Sequence, residues 1–423
     1  MQINIHSPFE QILETINGLN RTNNSWARDL RKASLISART LPMPETKSED
    51  WRCLNPRHLF PQNTLNLTSE EITCTQFVSW INETNKLEEE SWQNTNEVQV
   101  LPIWQAFDNF PQLAKKYFQK DQHQKDLSCA LIGTLSTGGA YIHLANEANL
   151  EHPLHVCHRV NNNLEDKDNF FALHTFVQAQ ANSRGTVIES FTDESQDLLV
   201  HSLLEIDLED GAQLTYIVLS DWSENTKNLA HIYVNLGENA SLKLIFVGLG
   251  GSLTKVFFNE DLQNSHSNTE IYGIIGADHQ QVFDVNTFVH HHVAHSQSNV
   301  LFSCALSGQS HSVFSGNILV EEAALYTDAY QKNKNLLLSP KAKAESMPKL
   351  EIKADDVRCT HGASFTNYDP EQIFYLQSRG LSENQAKQLI VSGFFSEIIE
   401  KAEDETISNW LAYHLTENFN QNN

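Results

Sequence analysis

Cys359 and His361 set a thiol and an imidazole two residues apart, just before Gly362 and Ala363. In an extended backbone, residues i and i+2 face the same way. The pair can therefore offer sulfur and nitrogen to one point, as a soft-metal or iron–sulfur site requires. Two ligands do not close such a site. The same residues also fit a turn imidazole bonded to backbone and a buried thiol. A second concentration of imidazoles lies in FVHHHVAH, from Phe288 to His295. On a strand His290 and His292 share one face and His291 takes the other, and a His-x-His pair can hold a divalent metal. Only Asp284 stands near them as an acidic neighbour, so His290 and His292 are expected to give a weak metal site at most. His155 and His158, on either side of Cys157, have still less to support them.

The chain lacks the motifs of self-contained catalysis. It has no G-x-x-x-x-G-K-[ST], no G-x-S-x-G and no H-E-x-x-H, which argues against a P-loop ATPase, an α/β-hydrolase and a zinc peptidase. The expectation is a protein that is not an enzyme. Acidic residues number 53 against 29 basic ones, for a net charge of −24. Such a surface repels phosphate, which excludes nucleic acid and anionic membranes as partners. No apolar run reaches the roughly 20 residues needed to span a bilayer, and the first residues lack the features of a signal peptide. A cytoplasmic location is expected. Six cysteines without a C-x-x-C read as free thiols in a reducing compartment.

Three stretches of different character position these residues. Residues 1–125 read as mainly helical. Ser7 and Pro8 open one helix, and Trp26, Leu30 and Ala33 mark a second over Asn24 to Ile36. Trp51, Trp80 and Trp104 read as core anchors. Residues 126–366 alternate strand-like runs with polar turns. Within them IDLEDGAQLTYI (Ile206 to Ile217) aligns with VNLGENASLKLI (Val234 to Ile245), matching Leu208 with Leu236, Ala212 with Ala240, Leu214 with Leu242 and Ile217 with Ile245. A repeated strand–turn–strand unit suggests stacked rungs, although one pair of repeats leaves a sandwich open. Residues 367–423 read as helical again. Asp369 and Pro370 cap a short helix that ends at Arg379 and Gly380, and Ser382 with Gln385 starts the next. Ala386, Leu389, Ile390, Phe394, Ile398 and Ile399 form its apolar stripe. A last helix is expected over Thr406 to Thr416.

Motifs spread from Thr327 to Phe395 carry a resemblance. TDAYQKNKNLLLS (Thr327 to Ser339), DDVRCTHGA (Asp355 to Ala363), FYLQSRG (Phe374 to Gly380) and GF (Gly393-Phe394) resemble the C-terminal half of the SufB/SufD family of iron–sulfur cluster assembly proteins. Ser48-Glu49-Asp50-Trp51-Arg52 is similar to a short family motif as well. The Cys-x-His-Gly-Ala form is most like the SufD branch, since SufB usually carries His-Glu-Ala there. The resemblance implies a mainly β fold with a β-helix core, flanked by N-terminal and C-terminal helical regions. It implies a scaffold subunit that pairs with SufB and binds the ATPase SufC, with a homodimer possible in isolation. His361, with Cys359, would then contribute to a transient iron–sulfur cluster at the SufB interface, and no cofactor would be tightly bound to the isolated chain. Phe374, Tyr375, Arg379, Gly380, Gly393 and Phe394 would belong to the region that docks SufC. Rival readings are a SufB-like main scaffold, a β-helix carbohydrate-active enzyme, and a metal-binding protein built on the His290 cluster.

Overall fold

The computed structural model describes residues 2–4, 11–12, 25–61, 64–67, 73–82, 87–91, 94–103, 105–106, 122–136, 138–160, 169–193 and 198–421. The chain opens with β1 (Gln2–Asn4) and helix α1 (Ser25–Thr40). Strands β2 (Thr64–Leu67), β3 (Thr73–Asn82), β4 (Leu87–Ser91) and β5 (Val98–Pro102) follow. Helices α2 (Gln122–Lys125) and α3 (Leu127–Leu135) lead into β6 (Ala140–Leu144) and β7 (Leu154–Val160). From there the chain winds a parallel β-solenoid of about seven turns.

Each turn lays one strand in each of two facing sheets. The first sheet takes β8 (Asn169–Ala179), β10 (Leu198–Leu208), β12 (Lys227–Leu236), β14 (Leu253–Leu262), β16 (Val282–His291), β18 (His311–Val320) and β20 (Lys343–Ile352). The second takes β9 (Arg184–Asp193), β11 (Gln213–Trp222), β13 (Ser241–Gly250), β15 (Asn268–Ala277), β17 (Gln297–Leu306), β19 (Asp328–Leu337) and β21 (Arg358–Asn367). The repeat seen in the sequence is the register of this stack. Ile206 pairs with Val234 and Leu208 with Leu236 in the first sheet. Leu214 pairs with Leu242 and Ile217 with Ile245 in the second.

The corner within each turn explains why Ala212 matches Ala240. Asn182, Gly211, Asn239, His266, His295 and Tyr326 all have positive φ at successive corners. Left-handed backbone costs least at Gly and Asn, which three of the six corners use. The next residue (Ser183, Ala212, Ala240, Ser267, Ser296 or Thr327) is small and buried, because the bend leaves little room inside. The corner N–H groups of Asn182, Gly211, His295 and Tyr326 donate to carbonyls of the following rung, so backbone groups that the turn frees are paired along the stack.

Side-chain alternation fills the interior and leaves two outer faces to cover. In β13, Leu242, Leu244 and Phe246 point into the core between the sheets, while Ile245, Val247 and Leu249 point out. The outer face of the second sheet is covered by α5 (Glu383–Ile399) and α6 (Glu405–Gln421), through Val391, Phe395, Ile398, Ile407, Leu411 and Leu415. The outer face of the first sheet carries α1, α3 and the Trp51–Phe60 segment over Phe170, Leu203, Leu229 and Leu253. Arg31 on α1 is buried and donates to the carbonyls of Thr134 and Ser136, closing the C-terminus of α3.

The mainly β fold, the β-helix core and the helices at both ends agree with expectation. The region before residue 125 differs from the helical reading, since its described residues include β1 to β5. β3 pairs with β7 and β4, and β5 with β6, so these strands extend the sheets of the solenoid. Their sequences, such as TCTQFVSWIN, carry the β-branched and aromatic residues that fit a pleated surface. Helix α1 starts at Ser25 and runs four residues past Ile36. Of the expected Ser7 helix only Gln11–Ile12 are described, and they are helical. Trp51 is buried as expected. Trp104, and the side chains of Trp26 and Trp80, lie outside the described residues.

Candidate functional site

The solenoid ends in an open rung. Among the described residues, strand β20 pairs only with β18 and β21 only with β19. Each leaves one row of backbone donors and acceptors without a ladder partner among the described residues, the arrangement to which another strand adds. Large apolar side chains collect near this end: Tyr326, Tyr330, Ile352 and Phe365 are all exposed. Along β19 the inward positions are Ala329, Gln331, Asn333 and Asn335, all buried. Their register partners on β21 are Cys359, His361, Ala363 and Phe365, which face the same way with no further rung above them.

The structure thus places Cys359 and His361 on one face of the terminal strand, in different surroundings. Cys359 is half-buried against the apolar group of Ile318, Val320 and Ala329, with Leu350 and Val357 beside it. Burial raises its thiol above the usual value, and the Asp328 carboxylate adds to the shift. A thiolate there needs a metal or another cation to stabilise it. His361 is exposed and sits over Gln331. The Gln331 amide is fully buried, yet among the described residues neither its oxygen nor its nitrogen has a hydrogen-bond partner. It crosses the interior to Gly316, where a Cβ would come within 2.3 Å of its oxygen. The tripeptide spacing signals the pair, but nothing in it points to Gln331, which lies thirty residues before His361.

The C-terminal residues form a second surface. Helix α4 (Pro370–Ser378) starts at Asp369, whose side chain accepts the Glu371 N–H. It ends at Arg379, followed by Gly380 with φ of +97°. Ser382 and Gln385 make a capping box for α5. Phe374 and Tyr375 are 72% and 56% exposed, and Arg379 stacks on the Tyr375 ring at 5.1 Å. A Cβ at Gly380 or Gly393 would meet nothing within 4 Å, so internal packing does not require either glycine for space. Phe394 is half-buried beside Phe395. Of the expected stripe of α5, Ala386 and Ile398 are buried and Ile390, Phe394 and Ile399 pack against the second sheet's outer cluster, but Leu389 is 54% exposed, and Val391 and Phe395 are buried there in addition.

The remaining histidines divide between core and surface. His155 and Cys157 lie under Trp410 of α6, with His155 bonded to Ser190 at 2.8 Å. Its neutral ring is favoured by burial, which pushes its pKa down to about 3. His158 faces the interior and meets Glu189 at 2.8 Å. His291 is buried between Ser296 and Ser298, while His290 and His292 turn outward beside Asp261. Asp284 belongs elsewhere, for it pairs with Lys255 at 2.8 Å. Cys53, Cys129, Cys304 and Cys359 are free thiols. Among the described residues no helix is long and apolar enough to cross a membrane.

Comparison with known proteins adds a family context. The model of the SUF-system iron–sulfur cluster assembly SufBD core domain matches residues 160–394. A SufBD family iron–sulfur cluster assembly protein of Mycobacterium leprae is 36% identical over 206 residues, covering 47% of this chain and 53% of its own length. The iron–sulfur cluster assembly protein SufD of Escherichia coli is 32% identical over 224 residues, 53% of each chain. SufD of Bacillus subtilis is 25% identical over 423 residues, 92% of each. The chain therefore spans about half the length of the first two relatives and nearly all of the third.

Proposed function

The chain belongs to the SufB/SufD family of iron–sulfur cluster assembly proteins and is most like SufD, and from this we propose that it is a non-catalytic scaffold subunit that pairs with SufB and binds SufC. The observation that carries the reading is the terminal rung. Both of its strands have free edges, apolar side chains surround it, and it bears Cys359 and His361. A partner with a similar open end would extend both sheets and cover Tyr330, Ile352 and Phe365. Cys359 and His361 would then lie at the junction.

Iron and sulfide are the substrates of such a junction. A neutral His361 imidazole supplies a nitrogen donor, and Cys359 supplies sulfur once the metal has displaced its proton. Two donors leave the remaining positions to the partner, so the site forms only in the complex. The exposed Phe374 and Tyr375, with Arg379, Gly380, Gly393 and Phe394, are the proposed surface for SufC. Nucleotide-driven closure of that ATPase would act through α5 on the second sheet and reorganise the junction, a population shift in which this chain makes no bond.

Co-expression with SufB and SufC from one organism, followed by light scattering, tests the reading. A stable three-component complex is expected. A His361→Ala variant should assemble that complex and accumulate little cluster, measured as iron and acid-labile sulfide. Elution of this chain alone while SufB and SufC associate would overturn the scaffold role. Normal cluster yield from the variant would remove His361 from the chemistry.

A further inference from the structure

His290 lies near the end of β16, two rungs before the terminal one and on the outside of the first sheet. His292 follows where the strand ends. Their ring centroids are 3.6 Å apart. Asp261, the register partner of His290 on β14, sets one carboxylate oxygen beside both rings. Its Oδ1 lies 3.5 Å from His290 Nδ1 and 3.1 Å from His292 Nε2. Three donor atoms from two successive rungs thus converge within 4.8 Å of one another. Ligands bound to one first-row metal at about 2.1 Å, at angles between square and tetrahedral, stand roughly 3.0–3.4 Å apart. Both separations fall close to this span before any ion enters.

The other nitrogen of His290 adds a second and independent sign. Nε2 stands 3.0 Å from Glu321 Oε1, and Lys353 Nζ holds the same carboxylate at 3.1 Å. A metal-binding histidine commonly donates its free N–H to a carboxylate, which fixes the tautomer and aims the other nitrogen at the metal. A neutral imidazole has one N–H, yet two carboxylates flank this ring. With the proton on Nε2 toward Glu321, the Nδ1 lone pair faces the lone pairs of Asp261. A cation between them turns that repulsion into attraction.

We propose that Asp261, His290 and His292 bind a divalent first-row transition metal, with Glu321 as the positioning carboxylate behind His290. Two imidazoles and one carboxylate on one side, with the remaining positions open to solvent, form a donor set suited to ferrous iron, and zinc accepts it too. Side-chain exposures of 16% for His290, 32% for His292 and 43% for Asp261 leave the ion a path from solvent. The site goes beyond the scaffold reading and does not depend on it, because it needs no partner chain.

The test uses the full chain, stripped with a chelator and titrated with cobalt(II) while d–d absorption is followed. Parallel titrations use iron(II) without oxygen and zinc(II). One equivalent of cobalt should bind. Asp261→Asn and His292→Gln should each weaken binding at least tenfold. Glu321→Gln should weaken it by a smaller factor and keep one equivalent. His311→Gln removes an imidazole from a simple pair with Glu345 and should change nothing. Circular dichroism and thermal midpoints of the variants separate lost ligands from lost fold, and His292, beyond the strand's end, keeps the test usable if Asp261→Asn does not fold. No cobalt bound to the wild-type chain, or equal affinity in wild type, Asp261→Asn and His292→Gln, would overturn the site.

Discussion

Lys255 is a cation without solvent. Its Nζ donates to Asp284 Oδ2 at 2.8 Å and to the Asp50 carbonyl at 2.6 Å, beneath the rings of Trp51 and Phe257. Burial lowers the Lys255 pKa and raises that of Asp284, and their mutual attraction opposes both shifts. Removing one partner strands a buried charge, so Asp284→Asn should cost about 3–5 kcal/mol by denaturant titration. Lys255→Met with Asp284→Leu should recover most of that loss. The single and double variants costing the same would contradict this account. The pair also shows what sequence proximity conceals. Asp284 and His290 lie on one face of β16, but six residues of strand separate them by about 20 Å. Asp261, 29 residues before His290, is its immediate neighbour. The sequence makes the His-x-His face legible, while its carboxylates come from other rungs, where only the register can place them. Cys359 and His361 were legible as a pair for the same local reason. That one packs against Leu350 and the other sits over an unpartnered Gln331 follows from β21 being the last strand.

At the scale of elements, helix ends were easier to read than helix faces. Ser382 and Gln385 form their capping box because the motif is local. Ser382→Ala should cost about 1 kcal/mol, measured as a drop in the denaturation midpoint. The packing face of α5 was harder, because apolar residues occupy more than one side of the helix. Tertiary contact chose Val391 and Phe395 and left Leu389 outside. The exposure of Leu389 separates two kinds of variant. Phe395→Ala should cost about 3–5 kcal/mol. Phe374→Ser combined with Leu389→Ser should leave stability within about 0.5 kcal/mol and weaken co-purification with SufC. Full retention of SufC by the double variant would move the proposed docking surface elsewhere. Likewise, only one pair of rungs was visible as a repeat. Those two share one step, Leu208 to Leu236 and Leu214 to Leu242, while steps over the stack range from Lys227–Leu253 to His311–Lys343. Since β8 to β10 and β9 to β11 also share one step, spacing alone does not hide the other repeats.

Over the whole molecule, buried imidazoles set the response to acid. Burial holds His155 and His291 down at about 3 and His201 at about 4. Above about pH 6.5 these rings are neutral in folded and unfolded chains alike. Below it the unfolded chain gains a proton per ring and the folded chain does not, so each ring removes up to about 1.4 kcal/mol per pH unit until its folded pKa is reached. Glu260 and Asp221, raised by burial to about 7 and about 6, act in the opposite sense, because protonation favours their folded form. Three rings outweigh two carboxyls. The thermal midpoint should therefore fall between pH 6.5 and 4.5, and a flat profile would contradict this balance.

The unpaired edges of the terminal rung have a mechanical consequence. In a stack whose units touch only their neighbours, the last unit is gripped from one side. The amides of β20 and β21 should exchange with solvent before those of β13 or β15, through openings that leave the rungs below closed. The rung that carries Cys359 and His361 is thus a soft end on a stiff rod, free to breathe without loosening the rest.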